Sequence, residues 1–261
     1  MALPKYKNPP VIEVVIGVSF EPVEKLLSVH YGSFWETIRD EYPNSEDNPP
    51  LMEEPLTTQI QIQVLAAPPL RRVFLIHTDG TYLMQLQPDR FIHNWRKTKD
   101  SDQYPNFEAA KEKFDRGWKL FGRFLEGKGL GTPRLKRYEM SYINHIVGTP
   151  GSFPVEAERY LPVFGWADAR FEKFLPDPQV LGLDLRFAMP SDKGTLRASV
   201  KHGKRKTDDA DVVVLEMTAQ GPARSDGSDM ELWMELAHEW IVRGFTDLTS
   251  KAAQEGWGRY Q

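Results

Sequence analysis

Six residues of this chain combine a ligand-holding chemistry with either a predicted polar-face position or a place in a short sequence motif. They are Glu13, Arg137, Glu139, Asn144, Arg186 and Arg197. Carboxylates of this kind can hold a divalent cation, and guanidinium groups can clamp a phosphate through paired N–H donors. The polar-face positions come from alternation. In Val11 to Phe20, residues Ile12, Val14, Ile16, Val18 and Phe20 share one side of an extended chain, which leaves Glu13, Gly17 and Ser19 on the other. The same reading collects Glu13, Gln59, Gln61, Gln63, Gln85 and Gln87 on a polar face in the first half of the chain. In the second half it collects Arg137, Glu139, Asp184, Arg186, Arg197, Lys201 and Glu216. The competing reading is plain: one-sided antiparallel sheets present polar residues to water in any case.

Better-known chemical motifs are absent. His238-Glu239 begins like a zinc-protease helix, but Val242 stands where the second histidine belongs. Glu235 and His238 have the spacing of a carboxylate di-iron pair without the second copy such a site requires. The glycines at 127, 129 and 131 follow a predicted helix and precede a predicted strand, the reverse of a phosphate loop. The run Lys201-His202-Gly203-Lys204-Arg205-Lys206 is offset by Asp208, Asp209 and Asp211. Arg90, Arg96, Lys97 and Lys99 surround Trp95, a grouping that can stack and hold single-stranded nucleic acid, although a Trp anchoring a loop is commoner. No metal site and no cofactor is signalled.

The elements that must position these residues repeat in kind. Strand Val11–Phe20 is followed by a helix over 29–42 and an acidic, Pro-rich loop over 44–55. Strands are predicted over 57–65, 71–78 and 81–87, with 91–95 continuing the last, and then a strong amphipathic helix over 107–126. A strand over 134–147, a weak helix over 155–164, strands over 181–189, 195–201 and 211–219, and a helix over 230–248 complete the chain. The expected fold is α+β: two similar βαβββα halves, residues 1–129 and 130–261, each a mainly antiparallel sheet covered by a long C-terminal helix.

The chain has 261 residues, a net charge of −4 and no cysteine. That balance argues against a dedicated nucleic-acid grip, and the missing cysteines rule out disulfides and thiolate chemistry. Without an apolar leader or a long apolar run, the expectation is a cytoplasmic protein with no membrane contact.

The opening Asn8-Pro9-Pro10-Val11-Ile12-Glu13-Val14-Val15-Ile16 resembles that of a sporadically distributed bacterial and archaeal family of about this length. Arg137-Tyr138 with Tyr142-Ile143-Asn144 is similar to its mid-chain Arg-Tyr-Ile-Asn strand, interrupted here by Glu139, Met140 and Ser141. The resemblance implies an architecture and an association with mobile or defence genes, and supplies no activity. The functional expectation is a non-catalytic binding or assembly module with a protein partner or self-association. The alternative is an enzyme or sensor acting on a phosphorylated, nucleotide-like ligand in a polar cleft between the two sheets.

Overall fold

A computed structural model of the chain describes residues 2–51, 71–148, 156–165, 179–205 and 208–261. The elements run β1 (Val11–Phe20), α1 (Ser28–Ile38), β2 (Asn44–Asn48), β3 (Arg72–Ile76), β4 (Tyr82–Gln87), β5 (Arg90–Arg96) and α2 (Phe107–Gly127). They continue β6 (Leu135–Val147), α3 (Ala157–Tyr160), β7 (Gly182–Ala188), β8 (Thr195–Lys204), β9 (Asp211–Pro222), α4 (Met230–Leu248) and α5 (Lys251–Gly256).

The strands form one antiparallel sheet of nine, in the order β2-β3-β4-β5-β1-β6-β9-β8-β7. This corrects the expected fold class. Among the described residues there are not two separate helix-covered sheets but one sheet-dominated layer, and only α2 and α4 are long helices. The reason lies at the centre. β1 and β6 pair from Glu13↔Ile143 to Ser19↔Arg137, so each satisfies the other's unpaired N–H and C=O groups. Among the described residues no second sheet faces this one, so no polar cleft between two sheets is formed. Among the described residues, β2 and β7 pair on one side only.

Two further corrections follow from pairing. Residues 44–48, read as loop, form the edge strand β2 against β3. Residues 90–96 do not continue β4 but turn back at Pro88-Asp89 and pair with it antiparallel. The predicted strand over 57–65, with Gln59, Gln61 and Gln63, lies outside the described residues.

The core lies between one face of the sheet and the helices. From β1, Val14, Ile16, Val18 and Phe20 are buried with Phe91 and Trp95 of β5 and Tyr138, Met140 and Tyr142 of β6. α2, capped by Asn106 Oδ1 accepting from Ala109 N at 2.9 Å, sets Phe114 and Phe121 against β1 and β5. α4 sets Trp233, Ala237 and Ile241 against β6 and β9. Trp233 Nε1 donates to Lys193 O at 2.9 Å, in a space closed by Gly221 of β9. A Cβ at Gly221 would lie 1.9 Å from that same carbonyl oxygen, so only glycine fits.

Candidate functional site

Pleating sends the remaining side chains to the opposite face, and register decides which of them meet. One row runs Arg96–Glu13–Ile143–Glu216–Ser199–Asp184 across β5, β1, β6, β9, β8 and β7. The next runs Asn94–Val15–Ser141–Thr218–Arg197–Arg186. Glu139 falls in a third row beside Gly17 and Gln220, and Arg137 in a fourth beside Ser19. Of the six residues singled out in the sequence, Glu13, Arg137, Glu139, Arg186 and Arg197 share this polar face. Asn144 does not. It sits on the helix-covered side in phase with Tyr142, 1% exposed, its Nδ2 donating to Leu215 O at 3.0 Å.

Much of the polar face is hydrogen-bonded to itself. Arg72 Nη1 donates to Gln85 Oε1 at 2.9 Å, Gln85 Nε2 to Asn94 Oδ1 at 2.8 Å, and Asn94 Nδ2 to Glu13 Oε1 at 2.6 Å. This chain crosses four strands, with Gln85 and Asn94 both buried. Burial pushes the Glu13 carboxyl above its ordinary range and Glu216 adds to the push, against the Asn94 bond and Arg96. Glu139 accepts from Gln220 Nε2 at 2.6 Å, and Ser141 Oγ lies 2.8 Å from Thr218 Oγ1. At the far edge Arg197 Nε donates to Asp184 Oδ2 at 2.6 Å, with Arg186 Nε 3.8 Å from Oδ1. The Arg197 bond holds the Asp184 carboxyl below its usual value. Arg186 and Arg197 thus already share a carboxylate.

Three arginines without one lie at the other end. Gln87 pairs with Arg90, Arg90 with Ser19 and Ser19 with Arg137, a single row on the polar face, and Arg72 on β3 extends it. Among the described residues none of Arg72, Arg90 and Arg137 contacts a carboxylate. The Nε atoms of Arg72 and Arg90 are buried and have no hydrogen-bond partner. The Arg72 guanidinium is held below its usual value by burial first and by repulsion from Arg90 second. Strands stand about 4.8 Å apart, which places Arg90 and Arg137, two strands apart, about 10 Å from each other at the backbone. Sequence reasoning assigned Arg90 to a cluster with Trp95. In β5 the two residues face opposite sides of the sheet, Trp95 buried in the core. Arg72 was not singled out, because nothing local marks a strand arginine whose neighbours come from β4 and β5.

Compared with known proteins, the chain matches no family model and no curated protein. No helix among the described residues is long and apolar enough to cross a membrane.

Proposed function

We propose that this protein is a binding module that takes a phosphorylated ligand on the polar face of its sheet, held by Arg72, Arg90 and Arg137. One observation carries the reading: three guanidinium groups line one row, none of them in contact with a carboxylate among the described residues, and two of them bury an unpartnered Nε–H. A buried donor left unmade costs about 1–3 kcal/mol, more for a charged group, so a site that leaves two open in its ligand-free form has affinity in reserve for an acceptor. A phosphate group offers several oxygens to paired guanidinium donors and matches their geometry. Ser19, set between Arg90 and Arg137 in the row, adds a neutral polar group, while the Gln87 amide is already bonded to the Leu51 backbone and Asp89.

The test is calorimetric titration with pyrophosphate. Arg90→Gln and Arg137→Gln are each expected to weaken binding about 10- to 100-fold, the equivalent of one charge-assisted hydrogen bond of about 1.5–3 kcal/mol. Arg186→Gln, already engaged with Asp184, is expected to leave binding unchanged. Absence of binding by the unaltered protein, or equal losses in all three variants, defeats the proposal.

A further inference from the structure

On the helix-covered side of the same sheet a cleft of about 430 Å³ opens between residues 3–9, the loop 97–106, the start of α2 and the middle of α4. It is separate from the arginine row, because β1 and β6 lie between them. Pockets that hold small ligands run about 300–1,000 Å³ and pair aromatic walls with a few polar groups. Here the lining includes Tyr104, Phe107, Tyr142, Asn144, His238 and Phe245.

Four of these, Tyr104, Tyr142, His238 and Asn144, carry hydrogen-bonding capacity that the fold leaves unspent. The Tyr104 and Tyr142 hydroxyls lie 2.7 Å apart. Burial raises both phenols above their usual value, so both keep their protons. One proton is used between them and the other remains to donate. The His238 ring stacks on Phe107 with centroids 4.0 Å apart and planes 9° from parallel. Burial lowers its pKa to about 4, so the imidazole is neutral near pH 7 and offers one donor and one acceptor. Among the described residues neither ring nitrogen has a hydrogen-bond partner. Asn144 spends its amide N–H₂ on Leu215 O, while its Oδ1 receives no donor among the described residues.

The charges stand elsewhere in the lining and balance: Lys5, Lys7 and Lys97 against Asp100, Asp102 and Glu108. Glu108 is the ionisable lining group that acts on Tyr104, Tyr142 and His238, so an anionic ligand group placed there would lose its hydration and meet no opposite charge.

We propose that this cleft binds a flat, uncharged nitrogen heteroaromatic of one or two rings. The ligand ring packs among the aromatic walls, and its ring nitrogens pair with His238, the Asn144 Oδ1 and the tyrosine hydroxyl pair. The proposal does not rest on the phosphate reading, and the two can fail independently.

Its test is a titration of the full chain at pH 7.5 with adenine and with benzimidazole, using benzyl alcohol as a ring without nitrogen. The expected result is saturable binding of at least one nitrogen heterocycle and at least tenfold weaker binding of benzyl alcohol. His238→Phe keeps the stack on Phe107 and removes both nitrogens, and is expected to weaken binding at least tenfold with little change in melting temperature. Should that variant fold poorly, Val242→Trp fills the cleft from a half-buried position on α4 and is expected to abolish binding. Arg186→Gln, on the opposite face of the sheet, is expected to leave heterocycle binding unchanged. The proposal is overturned by the absence of heterocycle binding up to millimolar concentration, by binding that survives both cleft variants, or by binding lost in Arg186→Gln.

Discussion

Replacing Asn94 with alanine tests whether the polar face is a built network or a set of solvated side chains. Asn94 is 2% exposed, on β5 between β4 and β1. It accepts from Gln85 at 2.8 Å and donates to the Glu13 carboxylate at 2.6 Å. Truncation removes a neutral hydrogen bond of about 1 kcal/mol and a charge-assisted one of about 1.5–3 kcal/mol. It also strands a buried carboxylate that burial already disfavours. The expected loss is about 3–4 kcal/mol, which at about 2–4 °C per kcal/mol for a chain of this size lowers the melting temperature by about 6–16 °C. Urea denaturation followed by circular dichroism reads the energy directly. Pairing the change with Glu13→Gln is expected to recover part of the loss, because the stranded group is then neutral. A loss below about 1 kcal/mol, or a double variant no better than Asn94→Ala alone, refutes the argument that burial makes this network costly to break.

Acid sensitivity is expected from the buried histidines. Burial lowers His93 to about 3 and His238 to about 4, and lowers His145 as well. Below the unfolded value near 6.5 the unfolded chain takes protons that the folded chain refuses, so stability falls with falling pH by about 1.4 kcal/mol per unit for each of His93 and His238, with His145 acting in the same direction. Denaturation midpoints between pH 6 and pH 5 check this, and His93→Phe is expected to reduce the slope by about one histidine's share. Gly221→Ala forces a Cβ to within 1.9 Å of Lys193 O and is expected to cost more than about 3 kcal/mol, measured as loss of soluble, cooperatively melting protein. Trp233→Phe keeps the ring in the core but strands Lys193 O, and a loss of about 1–2 kcal/mol is expected in the same assay.

The parts of this fold legible in the sequence are those set by local period. Alternation along β1 separates Val14, Ile16 and Val18 from Glu13 and Gly17, and the face assignment of Arg137, Glu139, Arg186 and Arg197 follows from the same rule. Phe107, Phe114, Phe121 and Leu125 mark α2 at helical spacing, and all are buried. What local period does not encode is which strand edges meet. The β1–β6 pairing joins residues more than a hundred positions apart and turns two expected sheets into one. β2, Asn44-Ser45-Glu46-Asp47-Asn48, is polar throughout, and only its backbone pairing with β3 makes it a strand. β5 was merged with β4 because Pro88-Asp89 lacks the glycine of a tight hairpin signal. The arginine row was illegible for the same reason: Arg72, Arg90 and Arg137 come from β3, β5 and β6, and only register aligns them. Asn144 was singled out by its motif and not by a face, and its parity with Tyr142 puts it beneath α4 and beside the cleft.

The most direct test of the central claim reads the arginine side chains themselves. Nitrogen-15 NMR of the arginine Nε–Hε groups during pyrophosphate titration distinguishes each guanidinium. The account predicts saturable shifts at Arg72 and Arg90, whose Nε–H groups have no partner, together with Arg137, and no shift at Arg186. Uniform small shifts across all arginines, or movement at Arg186 with Arg72 and Arg90 unmoved, contradict it.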